Sequence, residues 1–214
     1  MASGELGLSP LCLTVPGLGN SGPGHWQTIW ESERPDCVRV ELGMWDNPIR
    51  NIWIGRIDQA VAAANGPVVL VGHSLGCHAV LWWASLLGED VSGNVVAAML
   101  VAPPDVDRPS VDARLAPFAP APQSMLPFPT MVVASSDDPW CDVDHSIELA
   151  GAWGAQCVLL DHAGHINADS GLGAWREGQD LLEGLLDLRP RVAATPELRG
   201  RATAVASHRP WMER

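Results

Sequence analysis

Six short apolar runs recur along the chain: LCLTV (11–15), CVRVEL (37–42), PVVLVG (67–72), VVAAMLVA (95–102), TMVVAS (130–135) and QCVLL (156–160). The runs at 67–72 and 95–102 are almost wholly apolar, as strands buried on both faces should be. Between the runs lie stretches with helical spacing. Residues 25–34 are one. Asn47-Pro48 opens a second, to about Asn65, in which Ile52, Trp53, Ile57, Ala60, Val61 and Ala64 fall near helical spacing before Gly66-Pro67 breaks it. Residues 75–88, 143–153 and 173–188 complete the set, whereas 103–127, rich in Pro, Ala and Asp, reads as loop. Strand–helix alternation of this kind predicts an α/β fold, a predominantly parallel sheet of about six strands with helices on both faces. The pattern shows no internal repeat. One domain over 1–188 is expected, with 189–214 a tail, poorly ordered or loosely docked.

The chemistry lies where strands end. After the first run comes GLGNSG (17–22), a literal G-x-G-x-x-G. A dinucleotide loop needs its helix to begin inside the motif, so that amide N–H groups and the helix dipole meet the pyrophosphate. Here Gly22-Pro23-Gly24 follows at once and no helix is expected before about His25, although Glu41 sits near where an acidic ribose ligand would fall. The simpler reading is a wide turn in which Gly17, Gly19 and Gly22 supply positive φ.

After the third run comes GHSLG (72–76), a G-x-S-x-G between a buried strand and an apolar helix, the setting of a nucleophile elbow. The turn from strand to helix pushes the Ser74 hydroxyl out at the sheet edge. It needs tiny residues two before and two after, and both are Gly. The helix starting at Leu75 aims free N–H groups at the reacting atom, and the Leu75 amide is placed to bind an oxyanion. A serine nucleophile needs a base and an acid that orients the base. Ser136-Asp137-Asp138-Pro139 follows the fifth run, and Asp161-His162-Ala163-Gly164-His165 follows the sixth. Ser, acid, His, each just beyond a strand, is the chain order of α/β hydrolases. His165 is the expected base, with His162 the rival; Asp138, whose turn Pro139 fixes, is the expected acid, with Asp137 the rival. His73 and His78 read as packing on a buried helix. A metal site on His162 and His165 lacks a third ligand of suitable spacing. The glycine loop then has a second use: its Leu18 amide, with Gly19 the alternative, would be the other oxyanion donor. Trp26, Trp45 and Trp140 lie near these loops and are candidates for the acyl or alcohol pocket, with Trp26 and Trp140 preferred. Core packing is the competing use for each in a chain with ten Trp and no Tyr.

Charge narrows the partners. The 214 residues carry a formal −12, and all 13 basic residues are Arg. Residues 189–214 hold six Arg against Glu197 and Glu213, a formal +4, which leaves the body at −16. Such a body argues against nucleic acid and against an anionic membrane surface. The five cysteines are odd in number and form no C-x-x-C, which fits reduced thiols in a cytoplasmic protein. The N-terminal residues show no basic and long apolar signal-peptide pattern, and no apolar run reaches the ~18 residues of a membrane span.

VPGLGNSGPGHWQTIWE, WDNPIRNIWIGRID, VVLVGHSLGC, SSDDPW and AGHINADSG together resemble the small serine hydrolases related to retinoblastoma-binding protein 9 and the bacterial YdeN-type proteins, over about residues 10–187. The resemblance implies a compact α/β-hydrolase fold without a full cap domain. It maps the nucleophile onto Ser74, the acid onto Asp138 and the base onto His165, with no cofactor and no metal. It carries no particular substrate. The expected function is hydrolysis of a small ester or related acyl substrate. A non-catalytic binding module on the same scaffold and, further off, a dinucleotide-binding oxidoreductase are the alternatives.

Overall fold

The computed structural model describes residues 9–87, 94–108 and 112–187, so the Arg-rich tail lies outside the described residues. Six strands, β1 (Leu11–Val15), β2 (Cys37–Arg39), β3 (Val68–His73), β4 (Val95–Val101), β5 (Thr130–Ser135) and β6 (Gln156–Leu160), form one sheet. Their order is β2-β1-β3-β4-β5-β6, and every neighbouring pair is parallel. Parallel neighbours need crossovers. Among the described residues α1 (Trp26–Glu33), α2 (Arg50–Ala63), α3 (Leu75–Leu87) and α4 (Val143–Ala152) lie in four of them, the β4–β5 connection carries no α-helix, and α5 (Arg176–Asp187) follows β6.

Two cores flank the sheet because β3 and β4 are apolar on both faces. Leu13, Val15, Val68, Leu70, Ala98 and Leu100 meet α2, α3 and α4 on one side. Cys12, Val69, Val71, Met99 and Val101 meet α1 and α5 on the other. Tryptophan fills much of both: Trp53, Trp83 and Trp153 in the first core, Trp26, Trp30 and Trp175 in the second. A buried indole also needs an acceptor for its N–H. Trp53 donates to the Gly43 carbonyl at 2.8 Å, Trp153 to that of Pro122 at 2.8 Å and Trp30 to that of Ala174 at 2.7 Å, so the Trp side chains fasten loops to the core.

Two elements differ from the sequence reading. The second strand ends at Arg39 rather than at residue 42, because after Val40 the edge chain leaves the sheet into a turn with Gly43 and Met44 at positive φ. The loop at 103–127 contains a 3-10 turn, Ala113–Phe118, capped by the Asp112 carboxylate accepting from the Arg114 amide. Its buried residues, Leu115 and Phe118, are too few and too close to show a period. Among the described residues no helix is long and apolar enough to cross a membrane.

Candidate active site

Ser74 stands in the turn between β3 and α3 with φ +52°, the left-handed conformation that a non-glycine residue adopts only under constraint. Its amide donates to the Val101 carbonyl at 2.9 Å, and its carbonyl accepts from the Cys77 amide at 2.9 Å, so both sides of the turn are tied down. The flanking glycines relieve a crowded turn, Gly76 by strict steric necessity and Gly72 by tight contact. A Cβ on Gly76 would lie 2.1 Å from the Val15 carbonyl oxygen, and one on Gly72 would lie 3.1 Å from the Cys77 Cα.

The loops after β5 and β6 are stitched together. The Ser136 hydroxyl accepts from the His162 amide at 2.9 Å, that of Ser135 from the Ala163 amide at 2.9 Å, and Asp137 Oδ1 from the Gly164 amide at 2.8 Å. This brings His165 over the sheet edge. Its Nε2 lies 2.8 Å from Ser74 Oγ, and its Nδ1 lies 2.9 Å from each carboxylate oxygen of Asp138. A carboxylate can only accept, so Nδ1 carries the proton, and in the neutral ring Nε2 accepts from the serine hydroxyl. The pair is largely withdrawn from solvent, with side-chain exposures of 9% for His165 and 3% for Asp138. Asp138 Oδ1 also accepts from the Trp140 amide at 2.9 Å, which fixes the carboxylate.

The rivals take other places. Asp137 serves the loop, and donation from the Ser135 hydroxyl and the Gly164 amide holds its carboxyl below the usual range. His162 is 75% exposed, 3.6 Å from Asp137 and 3.6 Å from Asp161. His78, on α3, is fully buried and donates from Nε2 to the Pro104 carbonyl at 2.7 Å; burial pushes its pKa down to about 4. His73 is not on the helix but ends β3.

The glycine loop packs directly on the elbow. A Cβ on Gly17 would meet Ser74 Cβ at 2.8 Å, the His73 carbonyl oxygen at 2.9 Å and the Leu75 nitrogen at 3.1 Å. Gly17 therefore serves close approach and not, as the sequence suggested, positive φ. Nor does Gly22 supply positive φ; within GLGNSG, Gly19 and Asn20 do. The Gly19 amide donates to the Trp45 carbonyl at 2.9 Å, which occupies the alternative donor. The amides of Leu18 and Leu75 have no hydrogen-bond partner among the described residues. Helix α1 begins only at Trp26, beyond the motif, so no helix N-terminus faces a nucleotide there.

A cleft of about 340 Å³ opens onto Ser74 and His165 between Leu18, Asn20, Arg114, Leu115, Trp140 and Asn167. Trp140 lines it. Trp26 does not. It is 1% exposed, edge-on to Trp30 and Trp175, and its Nε1 donates to the Ile166 carbonyl at 2.8 Å. The competing use, core packing, is the one it has, because its indole lies on the α1–α5 side of the sheet. Trp45 packs against the opposite core outside the cleft. Sequence reading missed Asn20, Arg114 and Asn167. The only signal was for Asn167, which opens a capping box with Ser170. Among the described residues no group of three or more His, Cys, Asp or Glu could hold a metal ion.

An open parallel sheet with the serine on the β3–α3 turn, an acid beyond β5 and a histidine beyond β6 is the α/β-hydrolase fold, here without a large cap. The serine hydrolase family profile matches residues 12–184, and the chain belongs to that family. It is similar to the crystal structure of a putative YdeN-like hydrolase from Pectobacterium atrosepticum, at 31% identity and TM-score 0.73, over 85% of this chain and 94% of that one. The ydeN gene product of B. subtilis shares 20% identity at TM-score 0.69, over 84% and 100%. Est1E from Butyrivibrio proteoclasticus shares 13% at TM-score 0.60, over 83% and 88%, a likeness of fold alone. No curated protein sequence matches the chain.

Proposed function

We propose that the protein is a carboxylesterase-like serine hydrolase that cleaves a small ester or related acyl substrate through an acyl-enzyme. The observation that carries this reading is the unbroken chain of contacts from Ser74 Oγ through His165 to Asp138 at 2.8 and 2.9 Å. Ser74 is the nucleophile. As its oxygen bonds to the acyl carbon, His165 Nε2 takes the hydroxyl proton, and Asp138 stabilises the imidazolium and holds its tautomer. The amides of Leu18 and Leu75 receive the charge that develops on the carbonyl oxygen. Collapse of the tetrahedral adduct releases the alcohol, which leaves with the proton from Nε2. Water then attacks the acyl-serine, gives a proton to Nε2, and Ser74 departs with that proton as the acid is released.

The cleft of about 340 Å³, with Trp140 as one wall, has room for a small acyl group. Five free thiols suit the cytoplasm. The acidic body favours a small molecule over nucleic acid or an anionic membrane as partner. A non-catalytic module would have no use for a bare Nε2 facing the serine in an open cleft.

The test is hydrolysis of p-nitrophenyl acetate, butyrate and octanoate by the wild type and Ser74→Ala, with fluorophosphonate labelling located by mass spectrometry. The expected result is turnover that falls with acyl length, label on Ser74, and a loss of roughly 10⁴-fold or more in the variant. A wild type that neither hydrolyses nor takes label would move the binding-module reading ahead.

A further inference from the structure

Two buried donors that the Ser74–His165–Asp138 chain does not use meet the main chain at His165. The Nε2 of His73 lies 3.0 Å from the His165 carbonyl oxygen, and Trp26 Nε1 lies 2.8 Å from the next one, that of Ile166. A carbonyl only accepts, so His73 carries its proton on Nε2. Between these two bonds sits a conformation that needs holding. Ile166 has φ +47° and is fully buried. A β-branched residue in the left-handed region is a genuine outlier, kept only where its surroundings over-determine it. Here the surroundings are the two donors, the Ile166 amide bonded to the Ala163 carbonyl at 3.1 Å, and the core around Trp26. If Ile166 relaxed to an ordinary φ, the chain direction at His165 would turn and carry the imidazole off Ser74.

We propose that His73 is a positioning residue for the reaction: by donating to the His165 carbonyl, with Trp26 donating to that of Ile166, it holds the base loop in its strained conformation and the imidazole in line with Ser74. The proposal rests on the reading of Ser74 and His165 as nucleophile and base. The contact joins residues 92 apart in sequence, and His73 is bonded covalently to Ser74, so one side chain fixes the base relative to the nucleophile. His73 is also suited to stand beside an imidazolium. Burial first, then the neighbouring His25 and His165, keep its own pKa well below the usual value, so it adds no charge there. The His73 ring lies 5.1 Å from that of His165 and 4.5 Å from that of His25.

The experiment compares wild type, His73→Leu and His73→Gln, each checked for folding by circular dichroism and melting. Glutamine can return a donor to the Nε2 position; leucine cannot. Steady-state hydrolysis of p-nitrophenyl butyrate and the rate of fluorophosphonate labelling are read together. Displacements near 1 Å can cost ~10²-fold, so His73→Leu should lose about 10- to 100-fold in kcat and in labelling rate, with KM within about twofold. His73→Gln should recover most of that loss. A folded His73→Leu with wild-type kcat, or a folded His73→Gln no better than leucine, overturns the proposal. Should the leucine variant not fold, long-range ¹H–¹⁵N spectra of the wild type decide: a neutral, Nε2-protonated His73 at pH 7 supports the proposal, and an Nδ1-protonated or charged ring overturns it. A wild type without turnover or label overturns the nucleophile reading itself, and this inference with it.

Discussion

Adding one methyl group at Gly17 tests how the glycine loop and the elbow work together. In Gly17→Ala the new Cβ would lie 2.8 Å from Ser74 Cβ, 2.9 Å from the His73 carbonyl oxygen and 3.1 Å from the Leu75 nitrogen. Ordinary carbon–carbon contact is about 3.5–4.0 Å, so the surfaces must part by about 1 Å. The elbow cannot yield easily. Ser74 is bonded to β4 through the Val101 carbonyl, and β3 lies between β1 and β4 in the sheet. The glycine loop must therefore retreat, and it carries the Leu18 amide away from the Leu75 amide. Losing one oxyanion donor costs about 10²–10³ in turnover, about 3–4 kcal/mol of transition-state stabilisation. The assay is kcat for p-nitrophenyl butyrate, with melting to show that the fold survives. Gly24→Ala is the control in the same segment, since its nearest neighbour would be the Ala168 Cβ at 3.9 Å, and its kcat should match the wild type. A folded Gly17→Ala with wild-type kcat would refute the two-amide reasoning.

The adjacent acids should separate cleanly. Asp138→Asn should lose about 10⁴ in kcat because the His165 tautomer is no longer fixed, whereas Asp137→Ala should lower the melting temperature and cost kcat less than tenfold; equal effects on kcat would contradict the assignment. Acid should destabilise the fold well before the carboxylates titrate. Burial holds His25 and His78 neutral with pKa values of about 4, below the unfolded value near 6.5, so their contribution is complete above about pH 6.5 and is lost as pH falls toward 4. The loss approaches about 3 kcal/mol for each at the bottom of that window. Urea unfolding at pH 7 and pH 4.5 measures it, and equal stabilities would refute it. Trp140→Ala should raise KM for butyrate more than for acetate, because it removes a wall of the cleft; an unchanged ratio would remove Trp140 from substrate binding.

What the sequence determined by itself is what short-range sterics write into a few adjacent residues. Buried parallel strands must be apolar on both faces, so VVLV and VVAAMLV declared β3 and β4 directly. The elbow must have glycine two residues either side of its serine, so GHSLG was legible as a turn with a purpose. The order Ser, acid, His followed from which loops end which strands. Tertiary structure decided what depends on partners distant in the chain. Local signals favour Asp138 over Asp137, through the turn at Pro139, and His165 over His162, but do not bring either pair together; that is done by a contact between loops 27 residues apart, once Ser135, Ser136 and Asp137 have stitched those loops together. Gly17 looked like a turn glycine, and only the packing of its loop on Ser74 shows that space, not φ, excludes a side chain there. Trp26 looked like a pocket residue because it is near the glycine loop in sequence, yet α1 carries it to the far side of the sheet, where its N–H holds the loop of the base. Steric requirements of a turn are set by its own neighbours, whereas the use of a side chain is set by whichever acceptor or surface the fold brings within about 3 Å of it.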